Sequence, residues 1–299
     1  MSVEDDAQTA PPYLVLRPSD PLYPPLLKVI HDPPERLYIR GDPLTLLRPQ
    51  LAIVGSRKAS PAAIKLAREI ATELTSLGFG VCSGLALGVD GAAHQGALDA
   101  GGVSIGVMAT GIDRVYPSRH LSLAQRITSS GCLITELAPG TPPRAEFFPR
   151  RNRIVSGLSV GVLVIEAGLP SGSLITARCA LEQGREVFAV PWSPLHIGGR
   201  GCLQMLREGA VLVQNVFDVV DGLSSLLEAH CQRLPPRPPV EPPAATTSSL
   251  LSWIGWEAIG LDELAVLSKR SLPEVAMELS ALELSGTVAR VAGGYVRSG

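Results

Sequence analysis

Residues 147–177 read FFPRRNRIVSGLSVGVLVIEAGLPSGSLITA, and the rest of the chain is organised around them. Phe147 and Phe148 lead into Arg150, Arg151 and Arg153. An apolar run at 160–165 follows, with the character of a buried strand. Ser171-Gly172-Ser173 then opens a helix predicted over 174–183. Cations, stacking faces and a small-residue helix N-terminus in one place suit a phosphate-bearing polymer.

Outward from this stretch, strands and helices alternate. Strands are predicted at 51–54, 80–82, 103–107, 133–135, 160–165, 187–190 and 211–213. Helices are predicted at 61–77, 90–98, 118–128, in a short piece before residue 160, at 174–183 and near 202–207. Ser60 is a predicted N-cap and Pro61 the first helical residue of the first of them. Continuously apolar strands between helices predict an α/β fold, a parallel sheet covered on both faces.

Composition divides the chain into four parts. Residues 1–48 form an N-terminal extension, acidic and without regular structure over 1–12 and a proline-rich, extended lead-in over 13–48, packed on the main domain. Residues 49–230 are the α/β domain, and 231–249, with six prolines, are a semi-rigid linker. Residues 250–299 form a small unit with helices at 261–267 and 273–284 and a hairpin over 288–296, the order of a winged helix.

With 299 residues, 45 % of them apolar, the chain can bury a sizeable core. The N-terminus has no apolar h-region and no apolar run reaches membrane length, so neither a signal peptide nor a span is expected. Five scattered cysteines without a CxxC pair suggest neither a disulfide framework nor zinc, and a cytoplasmic location follows. A net charge of −2 excludes a generally basic, nucleic-acid-coating protein but not a local patch. Residues 144–153 hold such a patch, Arg144, Arg150, Arg151 and Arg153 against Glu146.

Ligands of open parallel sheets sit at the carboxyl ends of the strands. Four predicted loops there are small or polar: Gly55-Ser56-Arg57, Ser83-Gly84, Ala109-Thr110-Gly111 and Ser171-Gly172-Ser173. Glycines admit a ligand close to the backbone, and free N–H groups favour an anion. GxGxxG and Walker A motifs are absent, so no nucleotide cofactor is expected. Ser104 and Ser159 each sit in a GxSxG, but both lead into strands, against the strand–turn–helix order of a nucleophile elbow. Asp90 and His94, four apart on a helix, lack a third ligand, so a structural hydrogen bond is favoured over a metal. No catalytic residue is assigned. Residues 248–299 carry four basic and six acidic side chains, and the second helix has glutamates but no Lys or Arg. A protein-interaction role therefore suits this unit better than duplex DNA.

The chain resembles the DNA-processing protein A family (DprA, also called Smf). The matching segments are Val54-Gly55-Ser56-Arg57, residues 83–90 (SGLALGVD), Gly111-Ile112-Asp113 through Tyr116-Pro117, residues 148–154 (FPRRNRI), residues 171–177 (SGSLITA) and Ala189-Val190-Pro191. They fall in family order over roughly residues 13–220, and the C-terminal unit resembles the winged helix often appended to the family. The resemblance implies an extended Rossmann-like domain that binds single-stranded DNA, a homodimer through that domain, and loading of RecA recombinase in natural transformation or repair, without a catalytic step. A single-stranded-DNA-binding protein is a further expected partner. Arg57 matches the family's DNA-contacting arginine and Phe148 its base-contacting aromatic; Asn152 and Arg153 lie in the most family-typical stretch. Arg144 stands near where members carry a basic residue before the aromatic. The chain departs from the pattern at Trp192, where glycine is usual, and at Leu203, where asparagine is.

Read together, Arg57, Arg150, Arg151 and Arg153 are expected to pair with phosphates, Phe148 to stack a base, and Gly55-Ser56 and Ser171–Ser173 to donate N–H groups, with Ser83-Gly84 closing the other side. The alternative is a nucleotide-processing enzyme of the lysine-decarboxylase-like phosphoribohydrolase group. Its Pro-Gly-Gly-x-Gly-Thr loop is poorly matched by Pro170-Ser171-Gly172-Ser173-Leu174-Ile175-Thr176.

Overall fold

A computed structural model describes residues 13–230, 250–255, 258–284, 286–291 and 293–297. Residues 1–12 and the expected linker at 231–249 lie outside the described residues. The chain divides into two units, 1–236 and 237–299.

The first unit is built on a nine-stranded sheet. Its strands are β1 (Leu14–Leu16), β2 (Leu37–Gly41), β3 (Gln50–Val54), β4 (Gly80–Ser83), β5 (Ser104–Val107), β6 (Cys132–Thr135), β7 (Gly161–Val164), β8 (Glu186–Ala189) and β9 (Val211–Leu212). Their spatial order is β1-β2-β6-β5-β4-β3-β7-β8-β9. From β6 to β9 all neighbours are parallel. The chain winds from β3 outward to β6, then crosses back to lay β7 on the other side of β3. This places a topological switch point between β3 and β7, where a doubly wound sheet opens a crevice.

The helices are α1 (Pro25–Lys28), α2 (Pro61–Ser76), α3 (Val89–Asp99), α4 (Leu121–Ser130), α5 (Phe147–Gly157), α6 (Gly172–Glu182), α7 (Arg200–Arg207) and α8 (Val216–His230). Side-chain alternation along the strands divides the core between two faces. Ala52, Val54, Cys82, Val162 and Val164 pack with Val155 of α5, Leu174 and Ala177 of α6 and Met205 of α7. Leu51, Ile53, Val81, Leu163 and Phe188 pack with Ala67 and Ile70 of α2, Ala93 of α3 and Val219 of α8. Strands apolar at every position are therefore buried on both sides, as the parallel reading requires. Ser60 caps α2, its Oγ accepting from the Ala63 N–H at 3.2 Å.

Three features differ from the sequence expectations. The lead-in supplies β1 and β2, both antiparallel, so the sheet is largely but not wholly parallel. Strands of three to five residues among prolines give too short an alternation to register as a pattern. The helix expected at 118–128 begins as a 3-10 turn, Ser118–His120, before α4. No helix was expected where α8 stands, although Asn215, whose Oδ1 accepts from the Phe217 N–H, and Val216, Val219 and Leu223, all buried, carry cap and period.

The second unit holds α9 (Leu261–Ser268), α10 (Leu272–Leu284) and the antiparallel strands β10 (Val288–Val291) and β11 (Gly294–Arg297). It is a winged helix, with Leu250, Ile254, Leu264, Val275, Leu279 and Val288 as its core. Two of the α10 glutamates act within the unit. Glu274 accepts from the Ser271 backbone, and Glu278 pairs with Arg270 and accepts from the Leu250 N–H. Among the described residues no helix is long and apolar enough to cross a membrane.

Candidate functional site

A cleft of about 800 Å³ opens at the switch point. Gly55, Ser56, Arg57 and Lys58 enter it from the loop after β3, and Gly168 to Ser173 from the loop after β7. Phe148, Arg151 and Asn152 reach it from α5, and Ile197 and Gly198 from the loop after β8. Three of the four small loops named from sequence thus contribute to the crevice, Gly84 being the third.

Glu166, at the end of β7, fixes the cationic loop. Its backbone oxygen accepts from the Ser56 N–H at 2.7 Å. Its carboxylate accepts from the Ser60 N–H at 3.1 Å and the Ser60 hydroxyl at 2.6 Å. The side chain is buried. The loop is therefore held at both ends while Arg57 and Lys58 between them are exposed. Neither cation forms an ion pair among the described residues. The Arg57 guanidinium lies 5.2 Å from the centroid of the Phe148 ring, and Tyr116 packs against the other aromatic at 5.7 Å between centroids. Phe148 is half-buried and Tyr116 half-exposed, so the aromatic faces are partly open to a ligand.

The arginine cluster splits three ways. Arg150 pairs with Glu136 at 3.1 Å and keeps much of its exposure. Arg153 bridges Asp32 at 3.0 Å and Glu136 at 2.8 Å and is largely buried, tying α5 to the lead-in and to the end of β6. Arg144 is exposed, pairs weakly with Glu146 and lies over Phe147, outside the cleft lining. Arg151 is buried, and one of its Nη atoms donates to the carbonyls of Gly84 and of Val107, the latter at 2.6 Å. Of the four arginines expected to meet phosphates, Arg57 and Arg151 line the cleft, whereas Arg153 is held by carboxylates and Arg150 by Glu136. Arg151 and Arg153 each keep one buried nitrogen without a partner among the described residues, Nε of Arg151 and Nη1 of Arg153.

Of the Ser83-Gly84 turn, the glycine lines the cleft and the serine does not. The Ser83 hydroxyl donates inward to the Ile53 carbonyl at 2.6 Å and is fully buried. Gly84 lines the cleft, but a Cβ there would overlap the Arg151 guanidinium. Its lack of a side chain makes room for the arginine. The Ala109-Thr110-Gly111 loop closes on itself, Thr110 donating to the Arg114 carbonyl and Gly111 to that of Thr141.

Ser171 caps α6, its Oγ accepting from the Ser173 N–H at 3.3 Å and lying 2.6 Å from the Ser173 hydroxyl. Asn152 donates to the Gly172 carbonyl at 3.3 Å, joining α5 to the first turn of α6. Open space surrounds the Cα of Gly172, so this helix start is accessible from the cleft.

Beneath the cleft, Asp90 accepts from the N–H groups of Gly84 and Ala86. Burial pushes its carboxyl above the usual range, opposed by Arg151 and these hydrogen bonds. His94 bonds Ser104 through Nδ1 at 2.7 Å, and its Nε2 has no partner. The pair hydrogen-bonds separately, and among the described residues no cluster could hold a metal. Burial, with His120 and Arg151 adding like charge, lowers the His94 pKa to about 3. The unfolded chain takes up this proton below about pH 6.5, whereas the folded ring stays neutral, so stability is lost as pH falls through that window. Between pH 7 and pH 5 the loss through His94 should be about 2 kcal/mol. Urea midpoints at both pH values check this: His94→Asn should show a visibly shallower decline than the wild type.

Three cleft-side residues went unassigned from sequence. Lys58 simply follows Arg57, and its position in the same loop was the available signal. Tyr116 stood within a quoted family segment but reaches Phe148 only through the fold. Ile197 had no local signal.

Comparisons with known proteins place the chain in a family. The family model for DNA recombination-mediator protein A matches residues 14–224, and that for the DprA winged helix domain matches residues 234–294. Protein Smf of Escherichia coli is 42 % identical over 281 residues, covering 92 % of this chain and 75 % of its own. A solved structure of DNA processing protein A from Streptococcus pneumoniae superposes with TM-score 0.68 at 40 % identity, covering 70 % of this chain and 74 % of that one. Another, addressing the single-stranded DNA binding mode of the Helicobacter pylori protein, superposes with TM-score 0.64 at 30 % identity, covering 71 % and 96 %. The chain belongs to the DNA recombination-mediator protein A family, the DprA/Smf proteins, and carries that family's winged-helix domain.

Proposed function

We propose that the switch-point cleft binds single-stranded DNA, and that the protein delivers RecA recombinase to the bound strand as a homodimer formed through the sheet domain. The observation that carries the binding reading is the Arg57–Phe148–Tyr116 group, a cation on an aromatic pair at the mouth of the cleft. An exposed guanidinium beside a ring supplies a phosphate partner and a base-stacking face together. Lys58 adds a second free cation, and the start of α6 offers N–H donors toward an anion. The two buried carboxylates of the cleft, Asp90 and Glu166, are engaged by hydrogen-bond donors and do not face the mouth as free charges. The relative from Helicobacter pylori, by its description a single-stranded-DNA binder, supports the same reading. A single-stranded-DNA-binding protein is a further proposed partner, and the cytoplasm the proposed location.

Arg57→Ala should weaken binding of every single-stranded sequence about equally and flatten the slope of log affinity against log salt by about one unit. Fluorescence anisotropy with labelled oligonucleotides at several salt concentrations measures both. An unchanged affinity would remove Arg57 from the site. RecA delivery is read by recombinase filament formation on DNA with and without the protein.

A further inference from the structure

The loop after β8, where the chain departs from its family's pattern at Trp192, is built with unusual care for a surface segment. The Trp192 indole donates to the Ile165 carbonyl at 2.6 Å, and its ring packs on His196 at 4.7 Å between centroids. His196 Nε2 lies 2.9 Å from the buried Glu166 carboxylate. The Gly201 N–H donates to the Ala167 carbonyl at 2.7 Å. A Cβ on Gly199 would strike the Trp192 side chain, so the loop is also close-packed at its second half. Toward the cleft this anchored loop presents Ile197, which is 69 % exposed. Leu169 and Ile175, exposed on the loop after β7 and on α6, line the same cleft. The backbone of Ile197 lies against Gly168, beside Leu169.

Three large aliphatic side chains held open to water on a rigid support are unfavourable unless something covers them. Sheet order places them. Tyr116 follows β5 and Arg57 follows β3, whereas Leu169 and Ile197 follow β7 and β8, on the other side of β3. The cations at Arg57 and Lys58 therefore stand between an aromatic zone at Tyr116 and an aliphatic zone that includes the start of α6. A strand whose phosphates sit on the central groups has bases to place on both sides. We propose that Leu169, Ile175 and Ile197 form a second base-contacting subsite, which covers the face of a nucleobase separate from the one stacked on Phe148, and that the Trp192–His196–Glu166 linkage positions it. This rests on the single-stranded-DNA reading above.

The test compares a labelled oligothymidylate with an abasic deoxyribose-phosphate oligomer of equal length, by anisotropy, on the full chain. Ile197→Ser changes an exposed side chain, and Ile175→Ser is a second, independent variant. Each should weaken oligothymidylate binding about fivefold while leaving the abasic oligomer within about twofold of wild type. Arg57→Ala should weaken both oligomers alike. If Arg57→Ala does so and neither serine variant separates the two oligomers, the aliphatic subsite is overturned and the cleft reading stands. If the wild type binds neither oligomer, both readings fall.

Discussion

Truncating Arg151 to alanine should destabilise the sheet domain by about 3–5 kcal/mol, the range for breaking a buried, compensated charge. The guanidinium is buried beneath the cleft, where it joins the carbonyls of Gly84 and Val107 at the ends of two neighbouring strands. Its removal leaves both carbonyls without a donor in a water-poor site. It also leaves Asp90 buried without the positive charge that now opposes its raised pKa. With Arg151 gone, the folded-state pKa of Asp90 rises further above its unfolded value, so the cost should grow as pH increases. Two measurements follow. Urea denaturation at pH 5 and pH 8 should show the larger deficit at pH 8. Asp90→Asn in the Arg151→Ala background should recover part of the loss, since the amide oxygen can still accept from Gly84 and Ala86. An Arg151→Ala protein with the wild-type urea midpoint would mean that the arginine is not the keystone of these strand ends.

Phe148→Ala should reduce affinity for single-stranded oligonucleotides by about 1–3 kcal/mol, roughly 5-fold to 150-fold. The ring sits in the first turn of α5, half-buried, with Arg57 on one contact and Tyr116 on another. Losing it removes a stacking face and frees Arg57 from its fixed orientation. Duplex DNA, whose bases already stack on each other, should be affected much less. The ratio of single- to double-stranded affinity is therefore the informative quantity, and it should collapse toward unity. A uniform loss on both DNA forms would instead assign Phe148 to holding α5 in place. Tyr116→Ala should change the same ratio in the same direction by a smaller amount, because its ring reaches the site through Phe148.

Two of the α10 glutamates have partners within the winged-helix unit: the exposed Glu274 closes the turn before the helix, and the half-buried Glu278 holds Arg270 and the Leu250 backbone.

The local features of this protein were legible in the chain itself. Alternating apolar strands and helices, Ser60 as a cap, the three small loops that contribute to the crevice, and the helix–helix–hairpin order of the C-terminal unit all follow from short-range pattern, because backbone geometry and burial act over a few residues. Arg57 and Phe148 were named from sequence, and the fold brings them together. The rest depended on pairings between distant segments. Nothing near Arg153 in sequence reveals Asp32 and Glu136, and nothing near Gly84 reveals that Arg151 fills its missing side chain. A run of like charges reads as one cationic patch until the topology assigns each member a partner. Ion pairing and burial are decided by which strand ends meet, and that is a property of the wound sheet. The stretch at 147–177 marked the region around which the strand ends gather; only the tertiary structure decided that Arg150 and Arg153 are paired with carboxylates and Arg151 with strand-end carbonyls, while Arg57 and Lys58, about ninety residues earlier, line the cleft without a carboxylate partner among the described residues, because such pairings depend on which strand ends the wound sheet brings together.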